Sequence, residues 1–307
     1  MLSIVGKTLI VAGVLLLAFV GYQLWGTGLE QSRHQDELAE EIGGEMAPGS
    51  EAPSIDDLAA ELATIDPATA PATLAPAEGQ WVGIIEIPKI EVNQIMVEGI
   101  SKVDLKKGPG HYPGTPLPGQ AGNSAIAGHR TTYGAPFHRI DELVPGDEII
   151  VSTAQGRFRY EVQPPPPTGG IERGDGWYSV KPTQTEVLAP SEDNRLTLTA
   201  CHPKRSAKQR IIVTATLTAE PAVATVGTGE GEVAAPSDDD EAALFSGDPD
   251  AKYPALVFGL AAFGVWLVAW LVGRRWNQWA SAVVFAVPIV VLIWFCFVYT
   301  DRWLPSL

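Results

Sequence analysis

The sequence predicts a small, mostly-β domain, a closed or nearly closed barrel of seven or eight short strands, carried on transmembrane helices. Three observations lead there. Short β-rich runs punctuated by Gly and Pro fill residues 81–218, long uncharged apolar runs occupy both ends, and acidic low-complexity stretches separate the two kinds of segment.

The charge is segregated. The net charge is −15, yet residues 30–80 hold 12 acidic residues against Arg33 alone, and residues 219–252 hold nine against Lys252 alone. Residues 81–218 carry 14 acidic and 15 basic residues and are almost neutral. No basic stripe offers phosphate neutralisation, so nucleic acid is not an expected partner.

Residues 8–25 contain no charge, follow Lys7, and have the length to cross about 30 Å of hydrocarbon as a helix. No small-x-small cleavage site follows, so residues 1–26 read as an uncleaved anchor rather than a signal peptide. Two further apolar runs, 254–273 and 280–299, flank Arg274 and Arg275 and predict a membrane hairpin over 253–300, with 301–307 as a short tail outside. Placing that arginine pair and Lys7 in the cytoplasm puts the residues from about 27 to 252 outside it. Trp276, Trp279 and Trp303 fall near span ends, where indoles favour the interface. Residues 27–80 and 219–252 are expected to be acidic linkers, because Ala/Pro- and Gly/Ser-rich acidic stretches bury too little apolar surface to offset ordering entropy. Helical turns are possible at 55–64.

Within 81–218, strands are expected at Val82 to Ile87, Gln94 to Val97, Ser124 to Ala127, Asp147 to Thr153, Arg157 to Val162, Thr185 to Leu188, Arg195 to Ala200 and Arg210 to Thr218, with Gln155-Gly156 as a hairpin turn. Ser101 and Asp104 fit a capping box before a short helix, and Pro136 to Leu143 fits one or two helical turns. A β-sandwich is the structural alternative.

The chemistry centres on one thiol. Cys296 lies inside an apolar run, so Cys201 is the cysteine outside the membrane segments, with no disulfide expected. Alternation along Arg195 to Cys201 puts Leu196, Leu198 and Ala200 on the core face and Arg195, Thr197, Thr199 and Cys201 on the other. A thiol needs a base to become a nucleophile. His34 lies in a linker, His138 in an amphipathic turn, and His202 next to Cys201 points the opposite way. His111 and His129 remain, with His129 preferred because it ends an apolar strand after Gly128. Arg210, at the start of the last strand, is the candidate for opposing an oxyanion, with Arg130, Lys204 and Arg205 as rivals. No compact His/Cys/Asp spacing calls for a metal, and no cofactor is expected.

The segment LKKGPGHYPGTPLPGQAGNSAIAGHRTTYGAPFHRIDEL, Leu105 to Leu143, together with TLTACHPKRSAKQRIIV, resembles the sortase family, most of all the class E sortases of actinobacteria. The resemblance covers 81–218. It implies a closed eight-stranded β-barrel and a Cys-His-Arg site carried onto Cys201, His129 and Arg210. It further implies a substrate-binding role for Tyr133, associated with accepting alanine in an LAxTG-like rather than an LPxTG-like signal. Arg130 and Thr199 are further substrate-binding candidates. The implied partners are secreted proteins bearing such a C-terminal signal, an amine acceptor in a peptidoglycan precursor or pilin, and membrane lipid. The segment TLTAC departs from the TLTTC common in the class, and the stretch from Pro164 to Trp177 has an unusual composition. An L,D-transpeptidase-like enzyme and a non-catalytic binding scaffold are the competing readings. The 72 positions between His129 and Cys201 count against the first.

Overall fold

The computed structural model describes residues 2–46, 53–225, 250–275 and 278–303. They fall into two compact units, one of residues 2–23 with 250–303, the other of residues 24–225.

The first unit is helical. Helix α1 covers Leu2–Gly21, and a π-turn follows over Tyr22–Gly26. The C-terminal pair, here α5 (Lys252–Arg275) and α6 (Gln278–Trp303), forms a hairpin. Both α5 and residues Val283–Asp301 of α6 are long and apolar enough to cross a membrane. Ala255, Ala262, Ala269 and Gly273 are the buried positions of α5, and their sevenfold and fourfold spacing places them on one helical face. Most large apolar side chains elsewhere on α5 and α6 are exposed, which suits a lipid surround better than water.

The second unit is the β domain. Strands β1 (Trp81–Ile87), β2 (Val92–Glu98), β3 (Gly110–His111), β4 (Asn123–Ala127), β5 (Glu148–Thr153), β6 (Gly156–Val162), β7 (Tyr178–Val180), β8 (Arg195–His202) and β9 (Gln209–Leu217) form one sheet in the order β6-β5-β1-β2-β3-β4-β8-β9-β7. An additional β6–β9 pairing closes the ring, so eight strands make the barrel. The ninth, β7, pairs with residues 210–212 of β9, on the same edge of β9 that β6 takes at residues 215–217. Closure leaves few free strand edges. Inward positions build one apolar core, among them Ile85, Val151, Phe158, Leu196, Leu198, Ala200, Ile211 and Val213.

Most expected strands are present within a residue or two. Thr185 to Leu188 is a correction: it forms a 3-10 turn. Both edges of β8 are already taken by β4 and β9, so no pairing partner remains for it there. Instead the Asn123 side-chain amide donates to the carbonyls of Val187 and Ala189, each at 3.0 Å. Strands β3 and β7, two and three residues long, carried no periodicity to read. The Ser101 cap holds as α4 (Lys102–Leu105), with the Ser101 hydroxyl accepting from the Asp104 N–H.

The larger difference concerns residues expected to be a linker over 27–80. Thr27–Met46 forms α2, and Ile55–Leu62 forms α3 within the 55–64 stretch where the sequence allows helical turns. Leu38, Ala39 and Ile42 of α2, with Leu58, Ala59 and Leu62 of α3, bury against Ile84, Ile95 and Val97, the outward residues of β1 and β2. These few apolar residues recur at helical spacing, so a mostly acidic composition still presents one oily stripe. Gln35 seals the contact with the barrel wall. Its amide donates to the carbonyls of Ile95 (2.9 Å) and Lys107 (2.8 Å), and its oxygen accepts the Ile95 N–H (2.7 Å). The second linker also begins packed: Thr225 bonds Gln120, whose amide reaches Gln155 at 2.8 Å. Residues 226–249, Trp276 and 304–307 lie outside the described residues.

Candidate active site

The site is set by strand register. Strands β4 and β8 run parallel and pair with a constant offset, from Asn123↔Arg195 to Ala127↔Thr199. The ladder continues in the bond from the Gly128 N–H to the Thr199 carbonyl (3.0 Å). His129 follows two residues after the end of β4, and by the same sequence offset its counterpart on β8 is Cys201. On the other side of β8, the antiparallel register pairs Cys201 directly with Arg210. Directly opposed residues point to the same face of a sheet. Cys201 and Arg210 thus share the face away from Leu198 and Ala200, and His129 lies two residues beyond the end of the neighbouring β4. Gly128 is required for this approach, since a Cβ there would lie 2.5 Å from the Phe137 ring.

Cys201 is a free thiol, partly exposed. The His129 ring lies against the Tyr133 ring, with centroids 5.3 Å apart. Tyr133 has a left-handed backbone (φ 50°), followed by Gly134 and another left-handed residue, Ala135 (φ 43°). Its N–H donates to the Thr27 hydroxyl of α2 at 3.2 Å, and the Lys106 ammonium sits 4.8 Å from its ring centroid. Tyr133 is 2% exposed. The expected substrate-facing tyrosine is thus a packed residue, wedged between the candidate base, Lys106 and the start of α2.

Arg210 is half-buried and donates to the carbonyls of Ala207 (3.2 Å) and Gln209 (3.1 Å). It lines a shallow groove with Tyr112, Thr199, Val180, Leu188 and Ile212. In that groove the Thr199 hydroxyl meets the Tyr112 hydroxyl at 3.0 Å, and Tyr112 is a residue that sequence reasoning did not single out. Tyr112 follows a two-residue strand too short to signal its own orientation.

Arg130 is a different matter. Expected to meet substrate, it is instead 2% exposed and turned to the opposite face, one step of alternation past His129. Its guanidinium bonds Asp141 (2.8 Å), His202 Nδ1 (2.9 Å) and the Cys201 carbonyl (3.4 Å). Burial alone would raise the Asp141 carboxyl. The hydrogen bond and charge of Arg130, with Lys204 at 3.7 Å, outweigh it and leave the group below the usual carboxylate range. His202 Nε2 meets Glu172 at 3.1 Å, and Gln209 reaches the same carboxylate. Hydrogen bonding, from His202 first, holds Glu172 below its ordinary range.

The remaining histidines are committed elsewhere. His111, 1% exposed, binds Glu98 (2.7 Å), Thr115 (2.9 Å) and the Pro116 carbonyl (3.0 Å). His138 Nδ1 donates to the Arg130 carbonyl (2.9 Å), and His34 sits on α2 beside Glu37. Among the described residues no group of three or more His, Cys, Asp or Glu side chains is arranged to hold a metal.

The fold is a closed eight-stranded β-barrel, with the free thiol of Cys201 paired across the strands with Arg210. A family model described as a sortase domain matches residues 85–218. Sortase D of Bacillus subtilis is 30% identical over 205 residues, covering 66% of this chain and 90% of that protein. The chain belongs to the sortase family, whose members are cysteine transpeptidases. Sortase SrtE1 of Streptomyces coelicolor is 32% identical over 224 residues, which are 68% of this chain and 55% of the relative. This chain therefore spans about half the length of that protein. Among solved structures, sortase E from Streptomyces avermitilis is 34% identical, covering 52% of this chain and 99% of its own, with a TM-score of 0.39. Sortase SrtE1 carries the class letter that the sequence motifs resemble.

Proposed function

We propose that this chain cleaves an LAxTG/LPxTG-like sorting signal between Thr and Gly and transfers the acyl group to a cell-wall or pilin amine. The observation that best supports this reading is the register that sets Arg210 opposite Cys201 and runs β4, which ends two residues before His129, beside β8. In the first half-reaction the Cys201 thiolate attacks the Thr carbonyl carbon, and an S–C bond forms. Arg210 opposes the charge on the carbonyl oxygen. The C–N bond to Gly breaks as His129 gives its proton to the departing amine. In the second half-reaction an amine attacks the thioester, His129 takes a proton from it, and the thiolate leaves. Thr199 and Tyr112 line the groove that takes the signal. Tyr133 acts on the alanine-or-proline choice from behind His129.

The two apolar C-terminal helices support membrane anchoring. We place three spans, residues 1–26 and the hairpin, with Lys7, Arg274 and Arg275 in the cytoplasm and the barrel outside it. An enzyme held in the membrane meets a substrate anchored in the same layer at raised effective concentration.

The test uses the full chain in detergent with an LAxTG and LPxTG peptide library and hydroxylamine as acceptor. Mass spectrometry should find Thr-hydroxamate products and a Cys201 thioester. Cleavage at another bond, or undiminished transfer by Cys201→Ala, would overturn the proposal.

A further inference from the structure

Beyond the last β4–β8 pair, Ala127↔Thr199, come His129 and Arg130 on one chain segment and Cys201 and His202 on the other. Arg130, three residues past the end of β4, and His202, the last residue of β8, bond each other at 2.9 Å. A guanidinium donates only, so His202 Nδ1 must present its lone pair to Arg130. The proton of the neutral ring then sits on Nε2, where it points at Glu172 (3.1 Å). Arg130 is itself fixed from behind by Asp141 and reaches the Cys201 carbonyl. His202 is also held by the Trp177 ring, with centroids 5.2 Å apart.

We infer that Arg130 is a positioning residue for the thiol: it sets the tautomer of His202 and clamps the Cys201 end of β8 to the His129 end of β4. The same tautomer lets His202 latch Glu172, and with it the segment joining β6 to β7, to the nucleophile strand. Arg130 touches no reacting atom. Its effect runs through the alignment of Cys201 with His129. Asp141, Lys204, Glu172 and Gln209 are the other charged or polar groups around this pair. A small displacement of one reacting group is costly, since about 1 Å of misplacement can lower a rate about 100-fold.

This inference rests on the proposed roles of Cys201 and His129, and the test keeps the two separable. Two quantities are measured on the full chain in detergent. One is the pH profile of Cys201 alkylation by iodoacetamide, with the Cys296 background taken from Cys201→Ala. The other is kcat and KM for peptide cleavage. Arg130→Met should lower kcat about 100-fold with KM within about twofold, and should shift the alkylation profile to higher pH as the thiol loses its aligned imidazole. His202→Asn keeps an acceptor where Nδ1 stands and should retain most of kcat. His202→Gln, whose longer side chain carries its amide to the Nε2 position and away from Arg130, should behave like Arg130→Met. If Arg130→Met fails to fold, the two His202 variants decide. An unchanged kcat and alkylation profile in folded Arg130→Met, or equal losses in both His202 variants, would overturn the clamp. If the parent protein cuts no peptide, the transferase reading fails, and the alkylation profiles alone judge Arg130.

Discussion

The rim that carries Cys201 and the barrel wall covered by α2 and α3 are built from opposite materials. At the rim, order comes from polar groups: Arg130 between Asp141 and His202, His202 on Glu172, Thr199 on Tyr112. At the wall it comes from a dry contact of Leu38, Ile42, Leu58 and Leu62 on Ile84, Ile95 and Val97. Burial of such a side chain is worth about 1.5–3 kcal/mol, whereas a typical hydrogen bond nets about 1 kcal/mol. The wall should therefore hold most of the stability, and the rim most of the chemistry. Polar contacts fix direction, which a reacting thiol needs and a packed leucine does not.

The sharpest break between the two regions is Cys201→Ala. Thioester formation and transfer should fall to background while the denaturation midpoint stays within measurement error, read by mass spectrometry and urea titration on the same sample. The mirror experiment is Leu58→Ala, whose parent side chain is fully buried. It should cost about 2–5 kcal/mol of stability, with kcat per folded molecule unchanged. A Leu58→Ala protein of full stability would mean that α3 is not part of the folded domain. A smaller cost follows from Gln35→Ala, which strands the Ile95 N–H and two carbonyls. About 1–3 kcal/mol is expected, read from the same titration.

The two regions also differed in how legible they were. The rim could be read because period-two alternation along Arg195 to Cys201 and the Gly128-His129 strand end carry orientation in the residues themselves. The resemblance then joined two distant motifs that the register brings side by side. The wall escaped because its signal is sparse. Six acidic residues in α2 surround three buried apolar ones, so composition pointed to a spacer while the 38-39-42 spacing pointed to a helix face. Arg130 was misread for a related reason. A charged residue beside a candidate base suggests a ligand for substrate, and only alternation, carried one residue further, turns it inward. Thr185 to Leu188 had strand composition, but neighbouring β8 has both edges taken, a fact of topology that no local window contains.

The smallest effect expected is one of pH, and it tests whether the rim contributes to stability at all. Asp141 has its folded pKa depressed, because the bond and charge of Arg130, helped by Lys204, outweigh burial. A carboxyl depressed on folding adds stability that is fully present above its unfolded pKa, about 3.9. That contribution is lost as pH falls through the lower folded value. Asp141→Asn removes the titrating group, so the gap in midpoint between parent and variant should be widest near neutral pH and narrow on acidification. Because Asp141 is partly exposed, solvent screening keeps that gap small, well below the loss in Leu58→Ala. A gap that stays constant down to acid pH would mean that the carboxyl's charge is not what Arg130 uses, leaving the guanidinium held by His202 and the Cys201 carbonyl alone.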